Sequence, residues 1–335
     1  VLGLLLVNFI RPGDALPQET RDNLMSLYAE NVAGSAAKAE QMKSASPLQP
    51  IVDMIPDNVF AATTDNSKTL QVVFFALFLG IALIYIQDEK RHLIVKTFEG
   101  LNDAIIKIVE MIMFVAPYGV FALMGTLIVE IAGDNPSKAL ELLYALLWYS
   151  VTVVLGLAIM VLLVYPLLLK LFTKTPYLTF FKAIRPIQLL AFSTSSSSAT
   201  LPVTMEVCEK ELGVSNKVAG FVLPLGATVN MDGTSLYQGV ATVFIAQALD
   251  LSIGLGGQIM IVLTALLASV GSAGVPGAGI VMLVIVLEAV GVPTAGIALI
   301  LAVDRILDMC RTVVNVTGDV SVALVVAESE AKKSD

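Results

Sequence analysis

Residues 304–319 read DRILDMCRTVVNVTGD, inside an otherwise apolar stretch at 295–326. The stretch is long enough for a span, since roughly 20 helical residues cross the hydrocarbon core. Yet it holds five ionisable side chains: Asp304, Arg305, Asp308, Arg311 and Asp319. Each would cost about 2.5–3.5 kcal/mol at the centre of a bilayer unless it faced protein, ions or water. Helical geometry supplies that escape. At about 100° per residue, positions 304, 308, 311, 312, 315 and 319 fall within an arc of roughly 100°. One polar stripe therefore runs down an apolar helix, and intramembrane charge of this kind points to a functional site. The bland alternative is a set of structural ion pairs, Asp304–Arg305 or Asp308–Arg311.

The rest of the chain fits a membrane setting. Of 335 residues, 56% are hydrophobic and 14% charged, with mean hydropathy +0.84. Soluble domains run about 45–50% apolar and about 25% charged. Apolar blocks recur at 70–86, 104–132, 139–172, 219–249, 251–268, 275–290 and 295–326. The net charge of −8 comes mostly from between these blocks. It describes loops and implies no nucleic-acid partner. Residues 88–100 and 170–185 read as basic loops. Two spans separate them, which places both on the cytoplasmic side. Pro117 and Gly119 suggest a kink in the span at 104–132. Residues 1–10 are apolar but too short to span, and read as the end of a helix whose beginning lies outside this sequence. Residues 11–47 read as an extracellular loop, and residues from 48 to 86 as a broken helical segment followed by a span.

Two segments do not fit simple spans. Residues 193–202 (STSSSSATLP) sit between short apolar arms, and charge follows soon after at 206–217. That spacing predicts a hairpin over about 183–205, entering from the cytoplasmic side. Residues 269–279 (SVGSAGVPGAG) predict a second hairpin over about 255–291, entering from outside. Non-helical backbone at membrane depth survives only where protein buries it or it lines a cavity. Two such tips, one from each face, predict a midplane site in a transporter built from inverted repeats. A third polar break, residues 226–234 (GATVNMDGT), interrupts the span 219–249. An unwound turn there frees carbonyls which, with carboxylates and hydroxyls, suit a hard cation such as Na⁺. Hydrolase chemistry is disfavoured: the single histidine, His92, lies far from the serine run, and there is no G-x-S-x-G elbow. No phosphate-binding loop of Walker type occurs, which argues against ATP-driven transport within this chain. Cys208 and Cys310 suggest neither a metal site nor a disulfide framework.

Four motifs in order, 195–202, 224–238 (PLGATVNMDGTSLYQ), 269–279 and 308–319 (DMCRTVVNVTGD), closely resemble the dicarboxylate/amino acid:cation symporters. That family includes the archaeal aspartate transporters and the mammalian excitatory amino-acid transporters. The resemblance covers nearly the whole chain. It implies an all-α, multi-pass protein of the cell membrane with two re-entrant hairpins, a homotrimer, and an elevator motion. Residues 48–138 would be mainly scaffold, and 139–335 mainly the moving transport domain. The substrate would be an acidic amino acid, aspartate or glutamate, carried with sodium and without an organic cofactor. By motif position, Asp308 would hold the amino group, and Arg311 the side-chain carboxylate, to which a guanidinium fork is matched. Asn315 and Ser197 would bind the main carboxylate, assisted by Thr312 and Thr234. Backbone at Ser195, Val275 and Gly279 would close the pocket. One cation would lie among Gly226, Asn230, Asn315 and Asp319. A second would lie among Thr228, Met231, Ser269, Val270 and Ser272, and Asp232 with Asn230 would serve a third.

The sequence departs from the family pattern in places. Ser195 stands where archaeal members carry arginine, and Met309 where mammalian members place that arginine instead. Cys310 replaces a small residue beside Arg311. Gln238 stands where mammalian members have a glutamate linked to proton movement; an amide has no proton to titrate, so that route is closed. Two same-fold alternatives are weaker. A C4-dicarboxylate without an amino group would be repelled by Asp308, and a neutral amino acid would leave Arg311 unmatched. An ion-conducting channel is a rival of another class.

Overall fold

Helices form wherever the apolar blocks lie, and their ends follow local chemistry. The computed structural model describes residues 1–27, 55–64, 69–132, 136–270, 272 and 274–334; among them there is no strand. The first part comprises α1 (Leu2–Ile10), a 3₁₀ turn (Pro12–Ala15), α2 (Gln18–Leu27) and α3 (Val59–Thr63), followed by α4 (Thr69–Ile84) and α5 (Asp88–Ala132). Then come α6 (Pro136–Ile159), a π-helical turn (Met160–Val164) and α7 (Tyr165–Phe172). The remainder is α8 (Tyr177–Thr194), α9 (Ser197–Lys210), α10 (Asn216–Val229), α11 (Asp232–Ala248), α12 (Leu255–Val270), α13 (Ala278–Ala289) and α14 (Ile297–Ser334).

Residues 88–100 correct the reading as a loop: they form the first turns of α5. Asp88 and Glu89 occupy the first turn, where carboxylates suit the positive helix end, and Arg91 pairs with Asp88 at 2.5 Å. The helix also continues unbroken past Pro117 and Gly119. Most of the loop at 11–47 and part of the broken segment from 48 lie outside the described residues.

Helix α14 is the spine. Its first half, through Leu299, Ile300, Leu307 and Val314, joins a core with α1, α6, α11, α12 and α13 that includes Tyr149, Tyr237 and Phe244. Its second half, through Val316, Val320 and Ala323, joins a separate core with α8, α9 and α10 that includes Phe180, Ile184 and Leu223. The polar stripe passes the seam between the two cores. Helix α1 docks close to α11; a Cβ on Gly3 would lie 2.7 Å from the Leu236 carbonyl.

Helices α8 and α9 form one helical hairpin, α12 and α13 another. The first runs from Tyr177 to Lys210, beyond its predicted span of 183–205, and carries Pro186 and Pro202 within its helices. Its tip turns at Ser195, in the left-handed region at φ 52°. Ser196 then caps α9, its side chain accepting from the Ala199 N–H. Between α10 and α11 the helix is interrupted at Asn230 (ψ 83°) and Met231 (ψ 62°), as the break at 226–234 anticipates. Large apolar side chains of α4 and α5, among them Phe78, Ile84, Phe114 and Phe121, point outward. Such a surface marks contact with lipid or protein. Among the described residues one helical stretch, Ala139–Phe172, is long and apolar enough to cross a membrane.

Candidate functional site

The stripe on α14 divides into an upper and a lower group. In the upper group Arg311 is fully buried. Its Nη2 donates to Asp308 Oδ1 at 2.8 Å and lies 3.1 Å from Asp304 Oδ1. The guanidinium carbon sits over the Tyr237 ring, 3.7 Å from its centre, a cation–π contact. Nε and Nη1 have no hydrogen-bond partner among the described residues. Asp308 Oδ2 accepts from the Gly277 N–H at 3.0 Å, tying the stripe to the second hairpin. Arg305 lies outside the stripe, half exposed, 4.0 Å from Asp308. Arg311, rather than Arg305, is therefore the partner of Asp304.

Thr312 donates to the Asp308 carbonyl (2.8 Å), so its hydroxyl is committed to its own helix. Asn315 Nδ2 donates to Thr234 Oγ1 (3.2 Å) and its Oδ1 accepts from the Gly233 N–H (2.8 Å). Gly279 closes this group. A Cβ there would fall 3.3 Å from Thr234 Cγ2 and 3.4 Å from Arg311 Nη1. Thr234, Gly279, Asp308, Arg311, Thr312 and Asn315 are thus assembled in one place. Gln238, also buried, donates to the Gly279 carbonyl at 3.4 Å.

The tips of the two hairpins meet beside this group. The Gly274 carbonyl accepts from Ser196 Oγ (2.6 Å) and from the Ser198 N–H (3.2 Å). A Cβ on Gly274 would lie 2.6 Å from Ser198 Oγ and 2.8 Å from the Ala227 carbonyl, so only glycine allows the approach. Ser196 and Ser198 make the bridge. Ser195 and Ser197 are buried beside it without a hydrogen bond to the stripe among the described residues. The Val275 carbonyl accepts from the Ala278 N–H at 3.3 Å, within the turn of the second tip.

The lower group is different in kind. Asp319 Oδ1 accepts from Asn230 Nδ2 at 2.9 Å, and Asp232 Oδ2 accepts from the Tyr165 hydroxyl at 2.9 Å. Their other carboxylate oxygens accept no hydrogen bond, and neither has a basic partner, among the described residues. Gly226 lies against Asp319; a Cβ there would be 2.7 Å from Asp319 Oδ1. Gly226, Asn230 and Asp319 therefore converge, while Asn315 is engaged by Gly233 and Thr234. Of the second predicted cation set, Thr228 donates to the Leu225 carbonyl (3.1 Å) and Ser269 to the Leu266 carbonyl (2.8 Å). Met231 is buried, and Ser272 Oγ is buried without a partner among the described residues. Helices α10 and α12, which carry Thr228 and the pair Ser269 and Val270, are in contact.

Several contributors are invisible to a linear reading: Tyr165, Tyr237 and Gly277. A tyrosine in an apolar block reads as core, and a backbone N–H leaves no mark in a sequence. The glycines of 269–279 were the available signal for Gly277.

A broken helix, two hairpin tips and a buried charged stripe define the class, a helical membrane transporter. Within that class, residues 1–329 match the Sodium:dicarboxylate symporter family, and the chain belongs to it. It is 36% identical over 349 residues to an excitatory amino acid transporter of Caenorhabditis elegans, covering 95% of this chain and 68% of that protein. Human excitatory amino acid transporter 3 is 35% identical over 358 residues (95% and 67%). The proton/sodium-glutamate symport protein of Bacillus subtilis is 34% identical over 338 residues (98% and 73%). The chain thus spans about two thirds of the length of these relatives.

Proposed function

We propose that this chain forms the substrate- and ion-binding part of a symporter that moves aspartate or glutamate with sodium ions across the cell membrane. One observation carries the reading. Arg311 is fully buried, spends one nitrogen on two aspartates and keeps Nε and Nη1 without an acceptor among the described residues. Leaving buried donors of a charged group unpaired is costly, and a carboxylate of the substrate supplies the acceptors. Asp308, at the hairpin tip, takes the substrate's ammonium; Thr234, Asn315 and the tip around Ser197 and Gly279 receive its main carboxylate.

Sodium is cargo, and the lower group suits it. Among the described residues Asp232 and Asp319 each keep a carboxylate oxygen without a hydrogen bond and have no basic neighbour, and bare Gly226 lets its backbone approach Asp319 closely. Oxygen ligands are what a hard cation takes. The second ion belongs with Thr228, Met231 and the residues Ser269, Val270 and Ser272. Filling the lower group neutralises charge beneath the substrate, which couples the two cargoes.

The hairpins are re-entrant in this reading. At 1.5 Å per residue, the 16 residues of α12 reach about 24 Å and the 12 of α13 about 18 Å, short of the roughly 30 Å of a hydrocarbon core. The outward apolar faces of α4 and α5 fit a homotrimeric scaffold, residues 48–138. Residues 139–335 then move against it as an elevator. The test uses the full-length protein in proteoliposomes. Labelled aspartate should accumulate under an inward sodium gradient and not under choline. Accumulation independent of sodium rejects the proposal.

A further inference from the structure

Tyr165 is buried at the start of α7, immediately after the π-helical turn Met160–Val164. A π turn inserts an extra residue, and such turns are frequent at functional sites; one added residue rotates the rest of the helix by about 100°. The turn is pinned from outside, because the Tyr177 hydroxyl of α8 donates to the Val161 carbonyl at 2.5 Å. The side chain thus aimed inward reaches the lower group. Its hydroxyl lies 2.9 Å from Asp232 Oδ2 and 3.2 Å from the Val314 carbonyl. Beneath it is Gly318. A Cβ there would fall 2.8 Å from Tyr165 Oη, 2.9 Å from Asn230 Nδ2 and 3.1 Å from Asp232 Oδ2. Three polar groups from three elements converge on the one place where α14 has no side chain.

We infer that Tyr165 is a positioning residue for the cation site: its phenol fixes one oxygen of Asp232 and so presents the other to the ion. The inference rests on the reading of Asp232 as a sodium ligand. A tyrosine buried for packing alone would be satisfied by the Val314 carbonyl; here the shorter bond goes to the carboxylate. Without the hydroxyl, the Asn230 amide, which flanks the same bare point of α14 and already serves Asp319, is left as a donor beside Asp232. The carboxylate would then lose its fixed orientation, and two sites would compete for one amide.

The test uses the purified full-length protein without substrate. Its thermal-unfolding midpoint is followed against sodium concentration, with choline replacing sodium at constant ionic strength; a bound ion raises the midpoint by mass action. Tyr165→Phe should shift the half-saturating sodium concentration upward about tenfold, the lower end of what outer partners of metal ligands contribute. Its sodium-free midpoint should stay near that of the wild type. Asp232→Asn should give a shift at least as large, and adding Tyr165→Phe to it should change nothing further, since the two residues act through one bond. An unchanged half-saturation in Tyr165→Phe, or a lowered sodium-free midpoint alone, would assign the residue to packing and overturn the inference. Additive effects in the double variant would also overturn it. Wild-type titration by Asp232→Asn would remove the ligand assignment itself, and the inference with it.

Discussion

The upper and lower halves of the site along α14 each hold a pair of aspartates and solve opposite problems. In the upper half Asp304 and Asp308 share Arg311. One guanidinium serves two carboxylates, and what is left over is donor capacity on its other nitrogens. In the lower half Asp232 and Asp319 receive, among the described residues, a phenol and an amide alone, and what is left over is negative charge. Unpaired buried donors and unpaired buried charge are both expensive, so each half calls for its own partner: acceptor oxygens above, a cation below. Carboxylates alone do not announce which ligand a site takes; the presence or absence of one arginine decides it.

If that division is real, damage to one half should spare the other. The largest effect is expected from Arg311→Cys. Removing one partner of a buried ion pair costs about 3–5 kcal/mol, and here two aspartates lose their partner. Aspartate uptake should vanish, with affinity down by at least about 100-fold. Sodium binding in the absence of substrate should persist. Loss of both in a protein that still folds would show that the halves are one site.

Asp319→Asn is the converse. It keeps the volume and removes the charge. The half-saturating sodium concentration for aspartate binding should rise by about tenfold or more, on the scale of one interaction with a charged group. Affinity should recover at saturating sodium. An unchanged sodium titration would refute the assignment of the lower half.

A smaller shift should come from Gly226→Ala. Alanine gains roughly 1 kcal/mol over glycine in a helix interior. The new methyl would sit 2.7 Å from Asp319 Oδ1, and overpacking costs about 1–3 kcal/mol. The two nearly cancel in stability, so the change should appear in sodium affinity, weaker by a few-fold, with little movement of the melting temperature. A variant that melts higher and keeps its sodium affinity would mean the glycine serves the helix and not the ion.

Lys210→Ala marks the floor of the scale. Lys210 and Glu206 pair at 2.8 Å at the end of α9, both exposed. The ammonium's hydrogen bond and charge hold Glu206 below its ordinary range, and the carboxylate raises Lys210 in turn. A lowered carboxylate stabilises above its unfolded pKa and loses that contribution as acid protonates it. Exposed pairs of this kind contribute little. Unfolding and uptake should match the wild type at neutral pH, and a clear loss of either would show that this end of the hairpin meets something else.

The sequence made the stripe legible because one helix carries it and 100° steps place its members without knowledge of any neighbour. The break at Asn230–Met231 was legible for a similar reason: residues poor in helix propensity cluster there. What failed to show was tertiary. Nothing in MVLLVY predicts a π turn, so Tyr165 reads as core. The serine run shows that a tip exists but not which hydroxyls cross it; capping geometry at Ser196 decides that. Residues 88–100 read as a loop from their charge, whereas charge on a helix face and charge in a loop have the same composition.

The carbonyl of Gly274 bears on kinetics. Both of its bonds run from one hairpin to the other, so they break whichever arm lifts away. The barrier for release toward one compartment and the barrier for release toward the other share that contribution. Weakening it, as in Ser196→Ala, should speed exchange in both directions by the same factor and leave their ratio untouched. Turnover would change while the accumulation ratio at steady state, set by the sodium gradient, would not; a shifted ratio of inward to outward exchange in reconstituted vesicles would show that the two arms are held by different bonds.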